Sequence, residues 1–187
     1  MTRLLFSFFL ISVSAFAEQP LCRVAVVCNL YLTEEPPEKL AANRRWITGI
    51  APAGIQNAVD TVNRLQPDAL LVMGSLTWTG SEADFKKAHA ALSRVKIPWN
   101  VMPGTRDLVP GGKARYEKIF GQRDVTGKGM NIRGLHLQCS EPTLERTGES
   151  ERRMMAAITK GLEKSGDAKA VLLIGGPDVR GIADAKS

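Results

Sequence analysis

The chain is poor in the side chains that most often bind metals or carry catalysis. Its 187 residues include 2 histidines and 3 cysteines, and aromatic residues make up 6% of the total. An odd number of cysteines leaves at least one thiol free or paired with another chain. Cys22 and Cys28 are predicted to lie on one extended strand, roughly 20 Å apart at about 3.3 Å per residue, too far for a disulfide. We expect Cys28 and Cys139 to be small buried residues, and no cysteine spacing indicates zinc.

Strong charge of one sign is also missing. The chain has 25 lysines and arginines against 19 aspartates and glutamates, a net charge of +6. The basic residues occur as scattered pairs without interleaved aromatics, which is typical of a solvated surface rather than of a nucleic-acid interface. We therefore expect no nucleic-acid partner.

The first 17 residues have the pattern of a secretory signal peptide. Arg3 precedes an apolar run from Leu4 to Val13, and residues 15–17 (Ala-Phe-Ala) form a small-residue cleavage site. The run is shorter than the ~20 residues that a membrane span requires. The pattern predicts a secreted or periplasmic protein without a membrane span in the mature chain, and a retained membrane anchor is the alternative. Residues 18–187 are then expected to form one domain.

Strands and helices alternate along those residues. Apolar runs predict buried strands at residues 23–29, 69–73, 99–102, 134–138 and 170–174. Helices are predicted after a long loop over residues 30–52, after the N-cap Ser81, over 112–120 and over 149–164, with Leu65 and Met155 facing inward. This alternation predicts an α/β fold whose first strands are parallel, with a crevice at their carboxyl ends.

Short motifs stand at four of the predicted strand ends. They read VCNLYL from Val27, GSLTWTG from Gly74, PGTRD from Pro103 and LIGGPD from Leu173. Their order and spacing resemble the motifs of the calcineurin-like metallophosphoesterases, over about residues 23–178. The resemblance implies a two-sheet α/β sandwich with flanking helices, two divalent metals such as Mn, Fe or Zn between the strand ends, and hydrolysis of phosphoric esters.

The chain departs from that family at every metal-ligand position. The resemblance assigns these positions to Asn29, Tyr31, Ser75, Thr105, Arg106, Gly175 and Gly176. A pair of dications needs carboxylate or imidazole ligands, whereas Ser75 is neutral and Arg106 adds a permanent positive charge. We therefore expect no bound metal, no cofactor and no catalytic residue, and we interpret the chain as a pseudoenzyme. It ends at Ser187, before the family's last motif, which predicts an incomplete second sheet and self-association through an open strand edge.

Two other uses of the strand ends stay open. An anion such as a phosphate or carboxylate could bind to side chains at these ends together with the backbone amides of Gly74 and Gly104. The anion-binding side chains would be Arg106, Thr105, Ser75 and Tyr31. The opposing interpretation pairs Arg106 with Asp107 or another acid.

Alternatively, Asp107 and Asn29 could hold a single divalent cation and support residual phosphoesterase activity, unless Asp107 caps the turn that follows it. His89 and His136 are expected to be structural or solvent-facing. The leading hypothesis is an exported, inactive binding or interaction scaffold. A decayed or truncated gene product without independent function is a third possibility.

Overall fold

The computed structural model describes residues 22–33, 42–140, 148–163, 165–166, 168 and 170–174. The predicted signal peptide, Gly175 and Gly176 lie outside the described residues. Within those ranges the elements are β1 (Val24–Cys28), α1 (Ala42–Leu65), β2 (Ala69–Met73), α2 (Glu82–Leu92), β3 (Trp99–Val101), α3 (Gly112–Phe120), β4 (Met130–Ile132), β5 (Leu135–Cys139), α4 (Gly148–Glu163) and β6 (Ala170–Ile174).

The strands form two sheets of three. The first has the order β1-β2-β3 with parallel neighbours throughout. In the second, of order β4-β5-β6, β4 runs antiparallel to β5 and β6 runs parallel to it. Parallel neighbours require crossover connections, and in the first sheet the helices α1 and α2 supply them. The predicted fold class, an α/β fold with a parallel sheet and flanking helices, is confirmed.

Strand β2 separates the two halves of the core. Leu70 and Val72 face the helices, where they join a buried cluster that includes Phe85 and Leu92 of α2. Leu71 faces the opposite way and packs with Cys139 of the second sheet. Successive side chains of a strand point to opposite faces, so a single apolar run can serve both layers.

Strand β1 is more exposed than predicted. Its only strand neighbour among the described residues is β2, so it lies at the edge of the first sheet. Val26 is 49% exposed and Cys28 is exposed, which contradicts the prediction of a buried strand and a buried Cys28. An apolar groove of about 660 Å³ runs between this strand and α1, lined in part by Val26, Ala58 and Leu65. The apolar composition of β1 reflects β-propensity without the full burial of a central strand.

Other local predictions were also wrong. Helix α1 begins at Ala42 and contains Pro52, so the predicted loop over residues 30–52 is too long. Leu65 and Met155 are 53% and 50% exposed instead of facing inward. Strand β4 was not predicted at all, because three residues give too short a pattern to recognise.

Helix α2 begins as predicted, and its start fixes the loop that follows β2. The Ser81 hydroxyl accepts a hydrogen bond from the Asp84 N–H at 3.1 Å, as an N-cap residue does. The Asp84 carboxylate accepts hydrogen bonds from the Thr79 hydroxyl at 2.5 Å and from the Thr79 N–H at 3.2 Å. Among the described residues, no helix is both long and apolar enough to cross a lipid bilayer.

Candidate functional site

A cavity of about 310 Å³ lies where the carboxyl ends of β1, β2 and β3 meet. Asn29, Tyr31, Ser75 and Thr105 all line it, so four of the predicted site residues are brought together. Arg106 and Asp107, which follow Thr105 directly, are not among the residues that line the cavity. The crevice predicted from the parallel strands is therefore present, with a neutral polar lining from these four side chains.

Asn29 and Tyr31 adopt an uncommon backbone conformation beside this cavity. Their φ angles are 57° and 49°, in the left-handed region that side chains other than glycine rarely occupy. Main-chain hydrogen bonds to the end of β2 stabilise this conformation. The Asn29 N–H donates to the Met73 carbonyl at 2.9 Å, and the Tyr31 N–H donates to the Ser75 carbonyl at 3.2 Å. The Asn29 Oδ1 also accepts from the Ser75 N–H at 3.2 Å. Strained residues held this way are frequent at functional sites.

Two glycines allow the strand-end loops to approach each other closely. A Cβ atom at Gly104 would collide with the backbone nitrogen of Ser75. Gly74 has a φ of 82°, and a Cβ there would collide with the Asn29 side chain. The loop after β3 therefore rests directly on the loop after β2, and glycine is the residue that permits this contact.

Asp107 ties these two loops together. Its carboxylate accepts hydrogen bonds from the N–H groups of Leu76, Thr77 and Gly104 at 2.9, 2.9 and 2.8 Å. It also accepts from the Thr77 hydroxyl at 2.7 Å. The side chain is fully buried. Burial raises the pKa of the Asp107 carboxyl, and the four hydrogen bonds act in the opposite direction. The Asp107 carboxylate therefore holds Leu76, Thr77 and Gly104, all of which precede it in the chain. The prediction that Asp107 caps the turn that follows it is wrong.

Arg106 lies on an aromatic side chain. Its Cζ atom is 3.7 Å from the centroid of the Trp78 ring, and its Nη1 donates to the Trp78 carbonyl at 3.5 Å. Tyr31 meets the same Trp78 ring edge to face, with centroids 5.6 Å apart. Among the described residues Arg106 makes no ion pair, so the structure does not show the predicted pairing with an acid. A cation–π contact of this kind contributes on the order of 1 kcal/mol.

The anion-binding arrangement expected from the sequence is only partly assembled. Ser75, Thr105 and Tyr31 line the cavity, but the Arg106 guanidinium lies against Trp78. The Gly104 N–H, an expected donor, is already bonded to Asp107. The structure therefore provides neutral hydroxyl groups at the cavity, and one of the expected backbone donors is engaged elsewhere.

Besides Gly74, Pro103 and Gly104, three sulfur-containing residues also line the cavity, and sequence reasoning missed their grouping. They are Cys28, Met73 and Met102. Partial desolvation raises the pKa of the Cys28 thiol, although the residue as a whole is exposed. Each residue follows or ends one of the three parallel strands, so counting along the predicted strands could have shown that they share one row.

Both histidines pack away from the cavity. The His89 ring lies 5.5 Å from the Phe120 ring and 5.9 Å from the Trp99 ring. His136 is buried in β5, where Nδ1 lies 2.6 Å from the Asn131 Oδ1. Neither imidazole lines the cavity, in keeping with the structural roles expected for them. In the part of the chain that the structure describes, no group of three or more His, Cys, Asp or Glu side chains could hold a metal ion.

Comparison with known proteins agrees with the α/β fold. The structure is consistent with a metallophosphoesterase-like arrangement of a parallel sheet, flanking helices and a second sheet. It resembles the crystal structure of TT1561 from Thermus thermophilus with a TM-score of 0.53 and 15% sequence identity, over 81% of this chain and 67% of that chain. At that identity the similarity concerns the fold alone. No protein-family model and no curated protein matches the chain.

Proposed function

We propose that the chain is an exported protein that uses a metallophosphoesterase-like scaffold for binding and does not catalyse hydrolysis. The observation that supports the proposal is the neutral lining of the cavity at the strand ends. Asn29, Ser75 and Thr105 offer amide and hydroxyl groups where a pair of dications would need carboxylates or imidazoles. The N-terminal signal pattern supports export.

The donor chemistry of these residues does not fit a two-metal centre. A bridging carboxylate is needed to offset the repulsion between two dications, and the Ser75 hydroxyl is neutral. The Arg106 guanidinium, which follows Thr105 in the chain, lies on the Trp78 ring and supplies no metal ligand to the cavity. No catalytic step through a metal is therefore assigned to this cavity.

A single-metal phosphoesterase on Asp107 and Asn29 has less support. Both Asp107 oxygens already accept hydrogen bonds from the strand-end loops, and the carboxyl is buried. The Asn29 Oδ1 accepts from the Ser75 N–H. Recruiting these oxygens to a cation would require breaking the contacts that hold the site together.

Activity and metal content together test the proposal. The protein, purified after export, should hydrolyse p-nitrophenyl phosphate and bis(p-nitrophenyl) phosphate no faster than a blank in the presence of Mn²⁺. Mass spectrometry should find Mn, Fe and Zn below stoichiometric amounts. Turnover that a chelator abolishes would contradict the proposal.

A matched variant makes the test sharper. Asn29→Asp combined with Ser75→Asp introduces two carboxylates at the cavity, so it should bind Mn²⁺ more tightly than the unmodified protein in a calorimetric titration. If both proteins bind one equivalent of Mn²⁺ with the same affinity, the native residues already form a metal site.

A further inference from the structure

Three sulfur-containing residues, Cys28, Met73 and Met102, line the strand-end cavity. Cys28 and Met73 are direct partners in the parallel register of β1 and β2. The register of β2 with β3 pairs Val72 with Val101, and its continuation by one residue pairs Met73 with Met102. The Met102 N–H donates to the Val72 carbonyl at 2.8 Å, as that continuation requires.

This register places three sulfur side chains in one row across neighbouring strands. Residues in one row of a sheet point to the same face, and neighbouring strands lie about 4.8 Å apart. A methionine side chain has three rotatable bonds, so Met73 and Met102 can move their thioethers toward a common point near the Cys28 thiol. All three residues line the same cavity of about 310 Å³.

The three residues differ in exposure in a way that provides an entry path. Met102 is 1% exposed and Met73 is partly buried, whereas Cys28 is exposed at the open end of the row. Behind them the sulfur-rich layer continues, since Cys139 and Met130 of the second sheet belong to the same buried cluster. Cys28 is therefore the solvent-accessible residue of the row, and Met73 and Met102 are the more buried ones.

We propose that this row, Cys28, Met73 and Met102, is a binding site for a soft monovalent cation, Cu(I). Thiolate and thioether ligands select Cu(I), and hard cations prefer the carboxylates that the cavity lining lacks. Cu(I) accepts low coordination numbers, so three sulfur ligands suffice. Binding forms a copper–thiolate bond at Cys28 with release of the thiol proton to solvent, and neither the metal nor the protein is oxidised or reduced.

Cu(I) titration tests the site in the protein purified after export from its full-length sequence. Under anaerobic conditions with ascorbate, the protein should withdraw one equivalent of Cu(I) from its bicinchoninate complex. Loss of even an outer-shell partner of a metal typically costs about 10–100-fold in affinity, so loss of a direct ligand should cost at least about tenfold. Met73→Leu, Met102→Leu and Cys28→Ser should each show that loss.

Control variants separate this site from other sulfur atoms and from misfolding. Met155→Leu removes an exposed thioether on α4, and Cys22→Ser removes a half-buried thiol before β1. Both should bind Cu(I) like the unmodified protein. Methionine-to-leucine exchange keeps the side-chain volume, and thermal melts should show that the variants stay folded.

The results that overturn the proposal are distinct. Absence of saturable Cu(I) uptake would exclude the site. If Cu(I) affinity falls only in Cys28→Ser and both leucine variants are unchanged, Cu(I) binds to a reactive surface thiol and not to the three-residue site. Copper X-ray absorption without a sulfur shell would exclude these ligands as well. None of these results depends on the hydrolysis assay, so the two proposals fail or stand separately.

Discussion

At the scale of single residues, Asp107 shows how far a motif can guide interpretation. The motif order placed Asp107 at the correct strand end, next to the cavity. Its role could not be read from the sequence, because its hydrogen-bond partners Leu76 and Thr77 lie about 30 residues earlier in the chain. Those contacts depend on the conformation of two loops, which no local pattern encodes.

We predict that Asp107→Asn destabilises the protein by about 3 kcal/mol. The amide would turn one acceptor oxygen into an NH₂ group that faces backbone N–H donors, and a buried group left without its partner carries the full desolvation cost. Urea unfolding measures the change in the free energy of unfolding. Asp60→Asn, at an exposed position of α1, is the control and should stay within about 0.5 kcal/mol of the unmodified protein.

A small effect of Asp107→Asn would contradict this account of the carboxylate. An amide imitates a protonated carboxyl well, and burial does raise the pKa of Asp107. A loss below about 1 kcal/mol would mean that the folded protein holds the protonated acid. The four donors that surround the two oxygens favour the ionised form instead.

At the scale of elements, sequence patterns predict a helix or strand correctly where its conformation depends on residues that are close in the chain. Strands β2 and β6 and helix α3 have the predicted bounds. The pattern fails for α1, which contains Pro52 in its interior. A proline removes one intrahelical hydrogen bond and its ring crowds the carbonyl four residues earlier, so the sequence predicts a boundary there that the helix does not have. The pattern also fails for β1, because an apolar run does not distinguish an edge strand from a central one. Strand order is a property of the whole chain.

The contact between the loops after β2 and β3 gives an element-scale prediction. Gly104→Ala should lower the free energy of unfolding by at least about 2 kcal/mol, because the new methyl group must push the Ser75 backbone away. Gly54→Ala is the matched control. Gly54 lies within α1 with no atom near its added Cβ, so this variant should gain about 0.5–1 kcal/mol. Equal effects of the two variants in thermal or urea unfolding would contradict the close contact.

At the scale of the whole molecule, Asp68 links parts that are distant in sequence. Its carboxylate accepts from the Arg23 N–H at 2.7 Å, just before β1, and from the Arg133 Nη1 at 2.6 Å, in the turn between β4 and β5. The Arg23 guanidinium in turn donates to the Gln66 carbonyl at 3.0 Å, next to the end of α1. These contacts join the two sheets and one helix through a single acid, which sequence spacing could not predict.

This link should make stability depend on pH. The hydrogen bond from the Arg23 N–H, followed by that from Arg133, lowers the pKa of Asp68 in the folded protein below its unfolded value. The resulting stabilisation is complete above the pKa that Asp68 has in the unfolded chain, about 3.9. It is lost as the pH falls through the lower pKa that Asp68 has in the folded protein.

Melting temperatures of the unmodified protein and of Asp68→Asn, measured between about pH 6 and about pH 2, should therefore converge toward the acid end. Arg133→Gln removes one of the same contacts and leaves the Asp68 carboxylate in place. Its loss of melting temperature should therefore be smaller than that of Asp68→Asn and should decrease over the same pH range. A difference that stays constant with pH would show that Asp68 acts through its shape and not through its charge.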